Sequence, residues 1–225
     1  MLKSRSVLIR RVLLANVVRV VSGLYRVSPK DVAEAVEVCR NLGQRGVATT
    51  TGWFSSARDD PTSVVREYIH ATNALQTVGP GRFYLSVKPP AIDFNLDHAT
   101  RMTMAATSNG HGVHFDSHGI HVAQPTLDLL DRLLATLPLD QSQNPAGLSL
   151  TIPARWKRSV GDAEWAIERK LGIRLVKGEF PADDSSGEVD PVRGMLDLVD
   201  RLATRAPTLA IGTHDPGLAR EVLTR

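Results

Sequence analysis

Six short apolar runs, separated by longer stretches of helical periodicity, constrain this chain more than any other feature. The runs are residues 46–52, 83–89, 112–118, 147–154, 173–178 and 208–214. Each is bounded by polar or turn-forming residues and reads as a buried strand. Between them, Val64, Tyr68, Ile69, Ala71, Leu75 and Val78 give one apolar helical face. Leu127, Leu129, Leu130, Leu133, Leu134 and Leu137 give a second, and Met195, Leu196, Leu198, Val199 and Leu202 a third. Helix starts are marked by Ser28-Pro29, by Pro61-Thr62 and by Thr126 or Asp128. Strand onsets recur roughly every 25 to 37 residues, the length of a βα unit. The spacing predicts one α/β domain with a mostly parallel sheet. The polar stretch 183–187, rich in Ser and Asp, is its most flexible-looking loop.

Such a pattern fits an open doubly wound sheet or a (β/α) barrel. The polar residues favour the barrel, because each run carries its functional-looking groups late. They are Thr49, Thr50 and Thr51, then Lys88, Asp116 with His118, Thr151, Lys177, and finally Thr213 with His214. A barrel gathers chemistry from many strand ends onto one face, whereas an open sheet concentrates it near one switch point. No GxGxxG follows the first run and no GxxxxGK[ST] occurs anywhere. The expectation is a TIM-like barrel that is incomplete or distorted, since six strands are recognisable and a closed barrel of this type has eight.

Charge separates the chain into two parts. Overall, 27 Lys and Arg face 24 Asp and Glu, a near balance that argues against a dedicated nucleic-acid binder. Yet Lys3, Arg5, Arg10, Arg11, Arg19, Arg26 and Lys30 all precede the first acidic residue, Asp31. Residues 1–30 therefore read as a basic helical segment and 31–225 as the barrel domain. The apolar stretch 12–21, interrupted by Arg19, is too short and too charged to span a bilayer. It suits either a helix covering one end of the core or peripheral contact with an anionic membrane. No cleavage site clearly follows it, and the single cysteine, Cys39, falls on a helical apolar pattern. One thiol allows no internal disulfide framework, and a cytoplasmic protein is expected.

Several chemistries can be weighed from the residues alone. His114, Asp116 and His118 alternate along one run with His121 just beyond, which suits either a divalent metal or a strand end opening into a loop. No GxSxG elbow is present, and Cys39 lacks a thiolate-activating context, which disfavours covalent hydrolysis. What remains is a face with three cations (Lys88, Arg174 and Lys177), the carboxylate of Asp116, and Thr and His side chains. Fixed cations suit an anionic ligand or a reduced flavin ring. Solvated strand-end charges are the plainer reading. Arg174, Leu175, Val176, Lys177 and Gly178 carry the most information, because a buried strand there ends in charge and then in a glycine that lets another group approach the backbone.

In order and spacing these strands resemble one family, the flavin-dependent proline dehydrogenases, (β/α) barrels that carry FAD. The resemblance rests on Ser86-Val87-Lys88, on Asp116, on the run 173–178 and on the run 210–215, and it covers roughly Val32 to the end. It implies a catalytic set of Lys88, Asp116 and Arg174. It implies a cofactor-binding set of Asp116, Thr151, Arg174, Val176, Lys177, Gly178, Thr213 and His214. Arg174 would lie against the flavin near the hydride-accepting nitrogen, and the backbone at Val176 and Gly178 would touch the cofactor. Lys88 would face a substrate carboxylate. The implied activity is hydride transfer from proline or a related cyclic or secondary amine to FAD. The alternative is a shortened, non-catalytic relative acting as a binding or interaction protein.

This sequence also departs from that family. Thr151 stands where its members usually have Gln, Glu179-Phe180 where they have Ala-Tyr, and Asp215 where they have Asn. The sequence given ends at Arg225, short of the family's last two βα units and of the paired arginines that clamp proline's carboxylate. An unclosed barrel would keep two strand edges. Residues 17–21 or a second copy in a homo-oligomer would cover them, or the fold stays open. Residues 12–24 are expected to pack against the open side or the barrel bottom.

Overall fold

A strand with apolar residues at every second position must bury one face, and neighbouring strands of that kind bury it together. The computed structural model describes residues 29, 31–53, 55, 59–78, 83–137 and 147–225. All six expected strands form there, each shorter than its apolar run: β1 (Thr49–Gly52), β2 (Phe83–Val87), β3 (Gly112–Phe115), β4 (Leu148–Pro153), β5 (Gly172–Val176) and β6 (Leu209–Gly212). Every neighbouring pair is parallel, and the spatial order follows the sequence order without a break. A doubly wound sheet reverses order at its switch point, and this one does not. Right-handed crossovers then put successive helices on the same side. The sheet curls into a half-barrel, an incomplete TIM-like α/β fold.

The helices are α1 (Val32–Gln44), α2 (Pro61–Leu75), α3 (Leu96–Ser108), α4 (Ala123–Thr136), α5 (Ser159–Glu168), α6 (Pro191–Leu202) and α7 (Pro216–Leu223). Three of them begin with Asp-Pro. Asp60, Asp190 and Asp215 each accept a hydrogen bond from a first-turn backbone N–H, and the following proline occupies a position whose own N–H would be unpaired. Two expected starts are corrected. Helix α1 is capped by Asp31, which accepts the Glu34 N–H at 2.9 Å, and not at Ser28-Pro29. Helix α4 begins at Ala123, continuing a 3-10 turn over Ile120–Val122, with Pro125 inside its first turn. The Thr126 hydroxyl donates back to the Val122 carbonyl at 2.9 Å instead of capping.

The core lies between the convex face of the sheet and the helices. Leu85, Val87, Val113, Phe115, Leu150, Ile152, Ile173 and Leu175 point outward from the strands and meet Tyr68, Met102, Leu129, Leu130, Leu133, Leu198 and Leu202. Each large side chain buried this completely contributes about 1.5–3 kcal/mol. Val36, Cys39, Leu75, Val78 and Phe83 form a smaller cluster under α1, so Cys39 is a core residue as expected. The edge strands β1 and β6 alternate between half-buried and exposed.

The loop 183–187 is better organised than its composition suggests. Asp184 accepts hydrogen bonds from the Ser186 and Gly187 N–H groups at 2.7 and 3.2 Å and so closes a 3-10 turn. The basic segment before Asp31, with the strand expected at 17–21 and the packing expected of 12–24, lies outside the described residues apart from Pro29. Among the described residues no helix is long and apolar enough to cross a membrane.

Two glycines in helices should respond to alanine with opposite signs. A Cβ on Gly194 of α6 would stand 2.3 Å from the Ala154 carbonyl oxygen, so Gly194→Ala is expected to destabilise by about 1–3 kcal/mol despite its better helix propensity. Nothing lies within 4 Å of such an atom on Gly161 of α5, and Gly161→Ala should stabilise by about 0.5–1 kcal/mol. Urea unfolding midpoints check both. A more stable Gly194→Ala protein would refute the close approach of α6 to the end of β4.

Candidate functional site

Strand register decides which side chains share a level on the concave face. Ser86 pairs with His114 and His114 with Ser149, which makes one inward-facing row. One step further toward the C-terminal ends, the same register aligns Lys88 with Asp116, Asp116 with Thr151, and Thr151 with Arg174. Asp116 lies just past β3, and its N–H donates to the Val87 carbonyl at 2.8 Å, so the ladder continues through it. Four polar residues from four strands thus stand side by side at the C-terminal rim, where barrels carry their chemistry.

Asp116 is the hub. Its Oδ2 accepts the Ser86 hydroxyl at 2.5 Å, and its Oδ1 accepts a short hydrogen bond from Arg174 Nη2. Arg174 Nε donates to Thr151 Oγ1 at 3.1 Å. The ion pair is partly sheltered, with side chains 20% and 30% exposed. Beneath it, the His114 ring sits 2.8 Å from Ser149 Oγ through Nδ1 and 2.7 Å from Thr151 Oγ1 through Nε2. Burial, and next the Arg174 cation, push the His114 pKa down to about 3, against a smaller opposing pull from Asp116. The imidazole is therefore neutral, and the hydroxyls on both sides satisfy either tautomer. On its far side Arg174 pairs in register with Ala210, an exposed residue whose side chain is too small to cover the guanidinium.

The remaining expected site residues surround this row. The Lys88 N–H donates to the Tyr68 hydroxyl at 3.4 Å. His118, at the same mouth, stacks on Phe180 with ring centroids 6.0 Å apart, and burial followed by the Lys88 charge lowers its pKa. The carbonyls of Val176, Lys177 and Gly178 accept hydrogen bonds from the Ala154 N–H at 2.8 Å, the Arg155 N–H at 3.1 Å and Arg155 Nη1 at 3.4 Å. Gly178 has φ +98, and a Cβ there would meet Pro153 and the Arg155 stem at about 3.0 Å. The group that glycine admits is thus Arg155 of the same chain. Thr213 and His214 follow β6 on the outer rim, where Thr213 Oγ1 accepts the Asp215 N–H at 3.1 Å.

Sequence reasoning missed two parts of the site. Ser149 belongs to the His114 network and shows only as a polar residue two before Thr151. The clasp between the loops after β4 and β5 was not visible at all. In it, Arg155 pairs with Glu188 at 3.2 Å, Glu188 accepts the Ala182 N–H at 2.7 Å, and Trp156 Nε1 donates to the Phe180 carbonyl at 3.0 Å. The histidines do not converge, and among the described residues no three His, Cys, Asp or Glu side chains are placed to hold a metal ion.

Comparison with known proteins bears on the fold. No protein-family model matches the sequence, and neither does any curated protein. Solved structures do match. A variant of proline utilization A (PutA) from Bradyrhizobium japonicum superposes with a TM-score of 0.69 at 17% identity, over 87% of this chain and 24% of that one. PutA with proline bound in remote sites gives 0.68 at 18%, over 88% and 24%. PutA from Bdellovibrio bacteriovorus, inactivated by N-propargylglycine, gives 0.69 at 14%, over 86% and 25%. The fold is shared with proline utilization A. At these identities the likeness is one of fold, and the chain spans about a quarter of the length of the PutA chains it matches.

The buried neutral histidine makes a prediction about acid. The unfolded chain binds a proton at His114 near pH 6.5, while the folded chain resists until about pH 3. Stability is therefore complete above pH 6.5 and falls as the pH drops, by up to about 1.4 kcal/mol per pH unit from this group. Urea unfolding at pH 7, 5 and 4 should show a shallower acid loss in His114→Gln than in the parent. Identical slopes would mean that His114 is not held neutral.

Proposed function

We propose that the protein is an FAD-dependent oxidoreductase, similar to proline dehydrogenase, that takes a hydride from proline or a related cyclic or secondary amine. The observation that carries this reading is the level row Lys88, Asp116, Thr151 and Arg174 at the C-terminal rim. It stands on a fold shared with structures of proteins named for proline utilization. The donor set fits a flavin. A guanidinium fixed on one side by Asp116 and Thr151 and left uncovered beside Ala210 offers cationic N–H donors to a planar, electron-accepting ring. Bound FAD would supply the two-electron acceptor that these side chains lack.

The chain's own residues would then orient and stabilise. Arg174 would offset negative charge developing beside it, in a place where water competes poorly. Asp116, with both oxygens already accepting hydrogen bonds, would hold Arg174 in position and not take a proton. Lys88, on the neighbouring strand, would attract a substrate carboxylate as a point charge. Neutral His114 would keep Thr151 aimed at Arg174 without adding a competing cation.

Purified protein should be yellow, with bands at about 370 and 450 nm, and the colour should bleach when proline or a related amine is added without oxygen. Arg174→Met should weaken flavin binding or slow its reduction by at least about tenfold, which needs only about 1.4 kcal/mol, while circular dichroism stays native. A folded chain that takes up no flavin on reconstitution would overturn the reading in favour of a non-catalytic, ligand-binding relative.

A further inference from the structure

A sizeable unfilled space lies away from the rim. A cavity of about 650 Å³ opens between α1, α2 and the free edge of β1. Its walls include Val32, Val36, Leu42, Trp53, Leu75 and Leu85, and the backbone of β1 runs along it. Among the described residues β1 pairs with β2 alone, which leaves its other edge without a strand neighbour there. Val38, 45% exposed, adds more apolar surface on α1. Filling the space with water would take on the order of twenty molecules held against mostly apolar walls. A hollow of this size beside the smaller core cluster asks for an apolar occupant.

We propose that residues 12–24 of this same chain occupy the cavity. Three observations choose them over other occupants. Pro29 itself lines the cavity, so the first 28 residues join the fold at its rim. Residues 22–28 can reach roughly 23–25 Å when extended, enough to bring 12–21 across it. The charges match: Asp31 and Glu67 are the charged residues among its described lining, and residues 12–24 carry one charge, Arg19. Their other residues include Val12, Leu13, Leu14, Val17, Val18, Val20, Val21 and Leu24, which suit apolar walls. A second copy offers the same chemistry, but a tethered segment competes at an effective concentration in the millimolar range.

Cys39 lines the cavity and is the chain's one cysteine, so it serves as a reporter in the full-length protein. Four variants, Val17→Cys, Val18→Cys, Val20→Cys and Val21→Cys, would present a second thiol in every direction around the segment. Mild oxidation of dilute protein should close an intrachain disulfide to Cys39 in at least one of them, read as an oxidised monomer on a non-reducing gel and by mass. Arg5→Cys should not close. Disulfide-linked dimers alone would assign the cavity to a second copy, and no disulfide in any variant would leave residues 12–24 elsewhere. Either result overturns the proposal. In a second measurement, the double substitution Val18→Asp with Val20→Asp should speed maleimide labelling of Cys39 by at least about tenfold, with the circular dichroism retained. Equal labelling rates in that folded variant and the parent would also overturn it.

Discussion

The two-residue period of a parallel strand, imposed six times in the same register, governs both faces of this molecule. Odd and even positions separate completely: one set reaches the helices, the other the concave surface. From β2 to β5 the outward set is apolar and buried, which supplies the stability. The inward set is then free to be polar, but only where its members satisfy one another, because a sheltered polar group without a partner costs about 1–3 kcal/mol. Ser86, His114, Asp116, Ser149, Thr151 and Arg174 meet that condition as one connected network.

That network is asymmetric in a way that matters for chemistry. A carboxylate and a guanidinium at this depth hold each other in place, and removing either would leave the other without its counter-charge. A charged imidazole directly below would repel Arg174, and burial already disfavours it, so His114 contributes hydrogen bonds without charge. The result is a row with the Arg174 guanidinium fixed at one end by Asp116 and Thr151 and with Lys88 at the other. Hydroxyl groups fill the remaining positions because they can donate or accept as their neighbours require.

Much of the fold was legible because burial writes itself into periodicity. The apolar runs located all six strands, and the late polar residues located the rim. Strand ends were overestimated where polar residues such as Lys88 and His118 continue the alternation after the ladder has stopped. Helix starts were misjudged where two cap-like residues compete. Asp31 caps α1 by accepting the Glu34 N–H, and Pro125 does not end α4 because it sits in the first turn, whose N–H groups lack helical partners anyway. Arg174 and Asp116 were legible as charged residues within their apolar runs. Their pairing was less so, because it joins residues 58 apart through the register of three strands. The Arg155–Glu188 clasp left no local signal. Its consequence did, since Gly178 was readable as a point of close approach, though not what approaches it.

The two edges of the half-barrel differ in physical character. Among the described residues a cavity with largely apolar walls opens beside β1. At β6 the outer layer is closed by Leu218 and Val222 of α7, and the inward positions are Ala210 and Gly212. A Cβ on Gly212 would meet the Val176 side chain at 3.1 Å, so the wall there is as low as the backbone allows. Small residues at that edge leave the concave surface open on the side where Arg174 is bare, while Asp116 and Thr151 restrain it on the other. The same omission of bulk that weakens β6 as a structural strand therefore gives the fixed guanidinium an approach path. A closed barrel would instead fill its interior with layers of side chains.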